Sequence, residues 1–183
     1  MKERGSGGLV MGVIDAAKSA NETIANGYDA RRARMPQPRL AIVTCTDPRL
    51  TELLSMLGLA TDDADLLRNA GGVIDEDTVR SLAVSTHVLG IKEIMVVGHT
   101  NCTLQTFADS DLAARLPEGA RGEGGQPARF SAFTDLDANV REQVDRARSH
   151  PWIPDDVEVR GFVFDVTTAR LREVAPVRQA VPA

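Results

Sequence analysis

Three apolar runs of strand length, RLAIVTC (39–45), ADLLRNA (64–70) and KEIMVVG (92–98), are separated by segments of helical period, and that alternation leaves few folds open. Strand, helix, strand, helix, strand means parallel pairing through right-handed crossovers. In the first intervening segment, LTELLSMLGL, Leu50, Leu53, Leu54 and Leu57 share one face and Gly58 stops the pattern, which predicts a short helix. The second, Asp75 to Leu89, opens with Asp75, Glu76 and Asp77, where the helix dipole favours negative charge. It turns Val79, Leu82, Ala83 and Thr86 inward and ends at Gly90. Further on, TDLDANVREQVDRARSH predicts another helix, capped by Thr134 or Asp135, with Leu136, Val140, Val144 and Ala147 as its apolar stripe. EVRGFVFDV and RLREV then read as a strand and a closing hairpin partner. The expected fold is α/β, a mostly parallel central sheet flanked by helices.

At the N-terminus, Met1 to Gly8 has no pattern, and Val13, Ala17, Ala20, Ile24 and Tyr28 then form a thin apolar stripe. Residues 1–36 are therefore expected to make a helical arm that docks on its own domain or on a second subunit. Residues 116–129, rich in Gly and Pro, predict a surface loop or mobile flap rather than a boundary, so 1–183 is read as one domain. Its 183 residues are enough to bury roughly two thirds of the unfolded surface. A net charge of -5 with 4% aromatic residues provides no basic stripe for nucleic acid. The opening segment makes a poor signal peptide, and no apolar run approaches the ~20 residues of a membrane span. A cytoplasmic protein without membrane contact is expected.

Only two cysteines occur, Cys45 and Cys102, and both lie beside other metal-capable side chains. In a chain without a targeting segment that placement favours a metal or catalytic site over a structural disulfide. Cys45, Asp47 and Arg49 follow the first strand, whereas His99 and Cys102 follow the third. Both groups thus fall at carboxyl ends of parallel strands, where open α/β sheets build their sites. The two-residue gap between His99 and Cys102 lets both reach one ion while Cys45 arrives from another strand. Two thiolates and one imidazole suit zinc, and three protein ligands leave a fourth position free, as in catalytic sites. Each piece alone is weak: Cys45 reads equally as a small buried hydrophobe, His99 as a satisfied polar residue, and Asp47 with Arg49 as a surface ion pair. Their joint placement at two strand ends carries the functional reading.

CTDPR (45–49), RNAGG (68–72), VRSLAVSTHVLG (79–90) and EIMVVGHTNC (93–102), in this order, resemble the β-class carbonic anhydrases from about Leu40 to Phe107. The final VRGFVFDVTTARLREV (159–174) is similar to the closing strands of a small bacterial branch of that family. The resemblance implies a zinc enzyme that interconverts carbon dioxide and bicarbonate. It also implies a homodimer or dimer-based oligomer, with sites near the interface and an N-terminal arm embracing the partner. Carried over by position, Cys45, His99 and Cys102 would hold Zn2+ with water as fourth ligand. Zinc brings the pKa of such a water toward ~7, and two thiolates shift the ionisation toward alkaline pH. Asp47 would orient that water, and Arg49 would keep Asp47 ionised and in place. The family includes a closed form in which this aspartate itself becomes the fourth ligand, and for Asp47 the sequence leaves both states open.

Asn69, Gly71, Gly72 and Thr103 are the expected substrate contacts, although a plain strand-to-helix turn explains Asn69 to Gly72 equally well. Three departures from the family pattern stand out. Pro36 occupies a position where plant-type members use a Gln for substrate, which implies mainly apolar contacts here. Thr103 replaces a common Gly, a β-branched residue expected to crowd the pocket or constrain the backbone. Asn101 replaces a frequent Asp at a variable position. His87 reads as a surface or interface residue rather than a proton shuttle, and His150, before Pro151, as a helix end. The same scaffold also admits a hydrolase of carbonyl sulfide or carbon disulfide, or a non-catalytic zinc-binding relative.

Overall fold

The computed structural model describes residues 12–27, 38–117 and 129–174. Expectations for Met1 to Gly8, Tyr28, Pro36 and most of 116–129 lie outside them. The chain divides into two units, Met1–Met35 and Pro36–Ala183. In the first, helix α1 (Val13–Ala25) buries none of its residues, and Val13, Ile14 and Ile24 are exposed.

The second unit is built on a five-stranded sheet: β1 (Leu40–Cys45), β2 (Ala64–Asn69), β3 (Glu93–His99), β4 (Glu158–Asp165) and β5 (Arg170–Glu173), in spatial order β2-β1-β3-β4-β5. The first three pairings are parallel and β4 with β5 is antiparallel, as the strand and helix alternation requires. Strand β1 has neighbours on both sides and helices above, so its residues from Ala41 to Cys45 are all buried. One face carries Ala41, Val43, Ile94 and Val96 and is covered by Val79 and Leu82 of α3 (Glu76–His87) and by Val144 and Ala147 of a long helix over Leu136–Ser149. The opposite face carries Ile42, Val97, Phe162 and Phe164 and packs on Leu50, Leu53 and Leu104. Both long helices start at an aspartate that accepts a backbone N–H: Asp75 from Thr78 at 2.8 Å and Asp135 from Ala138 at 2.9 Å.

Two expectations change. The helix read from LTELLSMLGL is a 3-10 turn, Pro48–Leu50, followed by a single helical turn, α2 (Leu53–Met56). Pro48 fixes the entry and Asp47 caps it by accepting the Arg49 N–H, while Gly58 at φ +73 ends the segment two residues after α2. Leu50 and Leu53 still reach the core, whereas Leu54 and Leu57 are only partly buried. On α3 the buried face is Thr78, Val79, Leu82, Ser85 and Thr86, with Ala83 half-buried at its edge. A short helix unmarked by apolar periodicity, α4 (Asp109–Ala113), follows the third strand, and the long helix Leu136–Ser149 is α5. No described helix is long and apolar enough to cross a membrane.

Helix α5 approaches the sheet over two glycines. A Cβ on Gly98 would lie 2.7 Å from Val140 Cγ2, and one on Gly161 would lie 2.7 Å from Val140 Cγ1 and 2.9 Å from Val144 Cγ2. Neither neighbour is the end of a flexible side chain, so a methyl there must lift the helix. Gly161→Ala is expected to lower the unfolding free energy by about 1–3 kcal/mol in a urea titration, the usual cost of overpacking.

Candidate metal centre

Where β1 and β3 end, the side chains of Cys45, His99 and Cys102 converge: their ligand atoms all lie within 4.8 Å of one another, and all three residues are buried. Both cysteines are free thiols rather than a disulfide. His99 Nδ1 donates to the Thr100 carbonyl at 3.0 Å, which fixes the tautomer and leaves the Nε2 lone pair bare. Among the described residues, Nε2 is the one buried side-chain nitrogen or oxygen without a hydrogen-bond partner. A buried acceptor lone pair facing two sulfurs costs free energy unless something electrophilic meets it. The donor set of two thiols and one imidazole fits a borderline-soft divalent metal, and its orientation by the Thr100 carbonyl is the support that metal-binding histidines require.

The thiols divide their roles. The Cys102 thiol, and then the neighbouring His99 imidazole and the backbone N–H groups of Asp47 and Gly71, lower the Cys45 pKa against the effect of burial. Cys102 is raised, first by its bond to Cys45 and then by burial. Gly71 N donates to Cys45 Sγ at 3.4 Å. That approach needs Gly71 at φ +84 and Gly72 at φ +66, because a Cβ on Gly72 would sit 3.1 Å from the Thr44 carbonyl carbon.

Asp47 lies on the loop after β1 with its side chain 11% exposed. Arg49 grips it from both ends: Nε donates to Oδ1 at 2.9 Å, Nη2 to Oδ2 at 2.7 Å, and the Arg49 backbone N–H to Oδ1 at 2.9 Å. This holds the Asp47 carboxyl well below the usual carboxylate range. In this arrangement both oxygens face Arg49, and Asp47 is not one of the three clustered ligands. Nη2 of Arg49 also donates to the Asn101 carbonyl at 2.9 Å, tying the loop after β1 to the loop after β3.

Of the other expected site residues, Asn69 spends its amide inside the turn, donating to the Val73 carbonyl at 2.8 Å and Thr78 Oγ1 at 2.9 Å and accepting from Val73 N at 2.7 Å. Thr103 is exposed and opens the 3-10 turn Thr103–Gln105. Among the described non-glycine residues only Asn101, Ser131 and Ala169 have positive φ, so the backbone at Thr103 accommodates a β-branched residue. His87 Nε2 donates to the Trp152 carbonyl, and His150 Nδ1 accepts the Trp152 N–H. Sequence reasoning missed Arg68, which donates to the Cys45 carbonyl at 3.0 Å and the Asp47 carbonyl at 2.7 Å, and Gln143, whose Oε1 accepts Ile74 N at 2.8 Å. The Arg68 signal was the RNAGG string itself; nothing local marks Gln143 on its helix.

Cys102→Ser keeps the side chain's shape and removes one soft donor. Its metal affinity, measured by competition with a chromophoric chelator, is expected to fall by more than the roughly 10–100-fold cost of losing an outer-shell partner, with an unchanged circular dichroism spectrum.

Known proteins resemble this chain in sequence and fold. The family model described as carbonic anhydrase matches residues 40–171. Beta-carbonic anhydrase 1 of Mycobacterium tuberculosis is 36% identical over 168 residues, covering 91% of this chain and 100% of that protein. A carbon disulfide hydrolase from Acidianus sp. is 34% identical over 157 residues, covering 74% of this chain and 76% of its own. A crystal structure of carbonic anhydrase from Streptococcus mutans superposes with a TM-score of 0.79 at 38% identity, covering 91% of this chain and 100% of the other. Fold, strand-end cysteines and full-length similarity agree, and the chain belongs to the β-carbonic anhydrase family.

Proposed function

We propose that the protein is a zinc enzyme that hydrates carbon dioxide reversibly to bicarbonate and a proton. The observation that carries this reading is the bare, buried His99 Nε2 facing two cysteine sulfurs, with an arginine-locked carboxylate on the adjoining loop. Cys45, His99 and Cys102 would hold the ion. Zinc supplies a Lewis acid that brings the pKa of a coordinated water toward ~7, somewhat higher where two thiolates donate charge.

The chain's own contribution is orientation. Asp47 is ionised across the working pH range, so its carboxylate accepts hydrogen bonds and donates none. The Arg49 bonds occupy both acceptor sites of Oδ1 and one of Oδ2. The remaining Oδ2 lone pair accepts an O–H of the attacking water and so aims that water's own lone pair at the carbon of the substrate. Apolar neighbours of the cluster, among them Val97, Leu104 and Phe164, suit a linear, uncharged substrate. Gly71, Gly72 and Thr103 are proposed to border its path, with Asn69 shaping the turn. His87 and His150 are engaged with Trp152, so the released proton passes to solvent buffer.

A second reading, hydrolysis of carbon disulfide or carbonyl sulfide, is favoured by the similarity to the Acidianus hydrolase. In either case the protein is proposed to be cytoplasmic, and to be a homodimer or dimer-based oligomer; the exposed apolar residues of α1 and β2 at the sheet edge support the association.

Stopped-flow hydration by the zinc-loaded protein is expected to rise with pH from about 6.5 to 9, the range in which the metal's water ionises. Asp47 does not titrate there, so the rise reports the water. Asp47→Asn should lower kcat/KM roughly a hundredfold at unchanged zinc content. Turnover of carbon disulfide without turnover of carbon dioxide would select the second reading, and bound zinc with neither would leave a non-catalytic relative. Light scattering should give at least a dimer, and the double substitution Val13→Asp, Ile24→Asp should shift it toward monomer.

A further inference from the structure

Arg49 is 45% exposed and carries a long, flexible side chain, yet its guanidinium must stay fixed if it is to hold Asp47. Arg68 holds the loop's backbone at the Cys45 and Asp47 carbonyls, but Asp47 ties the Arg49 guanidinium only to a side chain of its own loop. The external tie is the Asn101 carbonyl, which accepts Nη2 at 2.9 Å from the loop between His99 and Cys102. Asn101 has φ 55, in the left-handed region. Asn and Gly enter that region at little cost, whereas β-branched residues are outliers there. Reversing φ would swing the Asn101 carbonyl away from Arg49.

We infer that Asn101 is a positioning residue that acts through its main chain: its left-handed carbonyl anchors the Arg49 guanidinium to the loop of His99 and Cys102, and thereby sets Asp47 relative to the ligands. The side-chain amide is dispensable; the backbone conformation is not. The inference deepens the proposed function and rests on its reading of Asp47 as the group that orients the attacking water. Carbon dioxide binding itself does not require the carboxylate, so a misplaced Asp47 acts on the reacting step and appears in kcat rather than KM.

The test uses zinc-loaded wild type, Asn101→Gly and Asn101→Val. It reads kcat and KM for carbon dioxide, zinc per chain, and the Arg49 Nε–H resonance in 15N spectra, assigned by its loss in Arg49→Lys. Asn101→Gly is expected to keep the resonance position and to turn over within about threefold of wild type, since Gly enters positive φ freely. Asn101→Val is expected to lower kcat roughly tenfold to a hundredfold with KM and zinc content unchanged, and to move the resonance toward that of a free arginine. A loss in Asn101→Gly equal to that in Asn101→Val overturns the inference, as does an unmoved resonance with full kcat in Asn101→Val. If Asn101→Val fails to fold or loses zinc, Asn101→Thr, also β-branched, takes its place, and an unmoved resonance with full kcat there is equally fatal. Wild type without carbon dioxide turnover sinks the reaction reading alone, because the resonance still decides whether Asn101 holds Arg49.

Discussion

The parallel register of β1 against β3 is the constraint from which the site follows. Thr44 pairs with Val97, and the Thr44 hydroxyl, fully buried, donates to the Val97 carbonyl at 2.8 Å. Cys45 is the next residue on one strand and His99 lies two further along the other, so this register brings sulfur and imidazole to one place. A slip of one residue would displace one strand by about 3.3 Å and send its side chains to the opposite face. Measured against ligand atoms that lie within 4.8 Å of each other, such a slip would abolish the cluster. The apolar alternation of the two sheet faces is therefore also the device that assembles the metal ligands.

Register fixes the strands but leaves the loops, and these are held by polar groups that a purely apolar core could not supply. Asn69 closes its own turn with Val73 and Thr78, and Gln143 reaches from α5 to the Ile74 N–H. Each partner would be costly if left unmet inside the protein, so the bonds specify one loop conformation rather than merely adding stability. The result is that Gly71 can present its N–H to Cys45 Sγ. Arg68 adds the same kind of restraint from the neighbouring strand, holding the carbonyls of Cys45 and Asp47 at once.

Much of this was legible in the sequence because strand ends are legible. Apolar runs locate β1 and β3, and whatever follows them must sit at the carboxyl edge, which is how Cys45, His99 and Cys102 could be grouped. The pairing of Asp47 with Arg49 was also readable from their spacing on one loop. Less accessible were features that depend on the third dimension. Leu50, Leu53, Leu54 and Leu57 match a helical stripe, but the segment between Pro48 and Gly58 is divided into a 3-10 turn, Pro48–Leu50, and one α-helical turn, Leu53–Met56, so tertiary context overrides local propensity. Gln143 looks like any surface residue of a charged helix until α5 is laid over the turn at 71–74. Asn101 looked like a neutral replacement for Asp, and only its φ and the direction of its carbonyl give it a function.

The distribution of burial separates stability from chemistry. Cys45, His99 and Cys102 are sealed in the core, whereas Arg49 is nearly half exposed. Exposed ion pairs contribute little to folding, so the bidentate grip on Asp47 is not explained by stability. What it provides is geometry: three hydrogen bonds from one residue to one carboxylate remove its rotational freedom and leave a single acceptor direction on Oδ2. Because a water that must reach and leave the centre needs an opening, the orienting group has to stand at the rim. A rim position exposes Arg49 to solvent competition, and the bond to Asn101 offsets that by recruiting the loop between the buried His99 and Cys102 as its anchor.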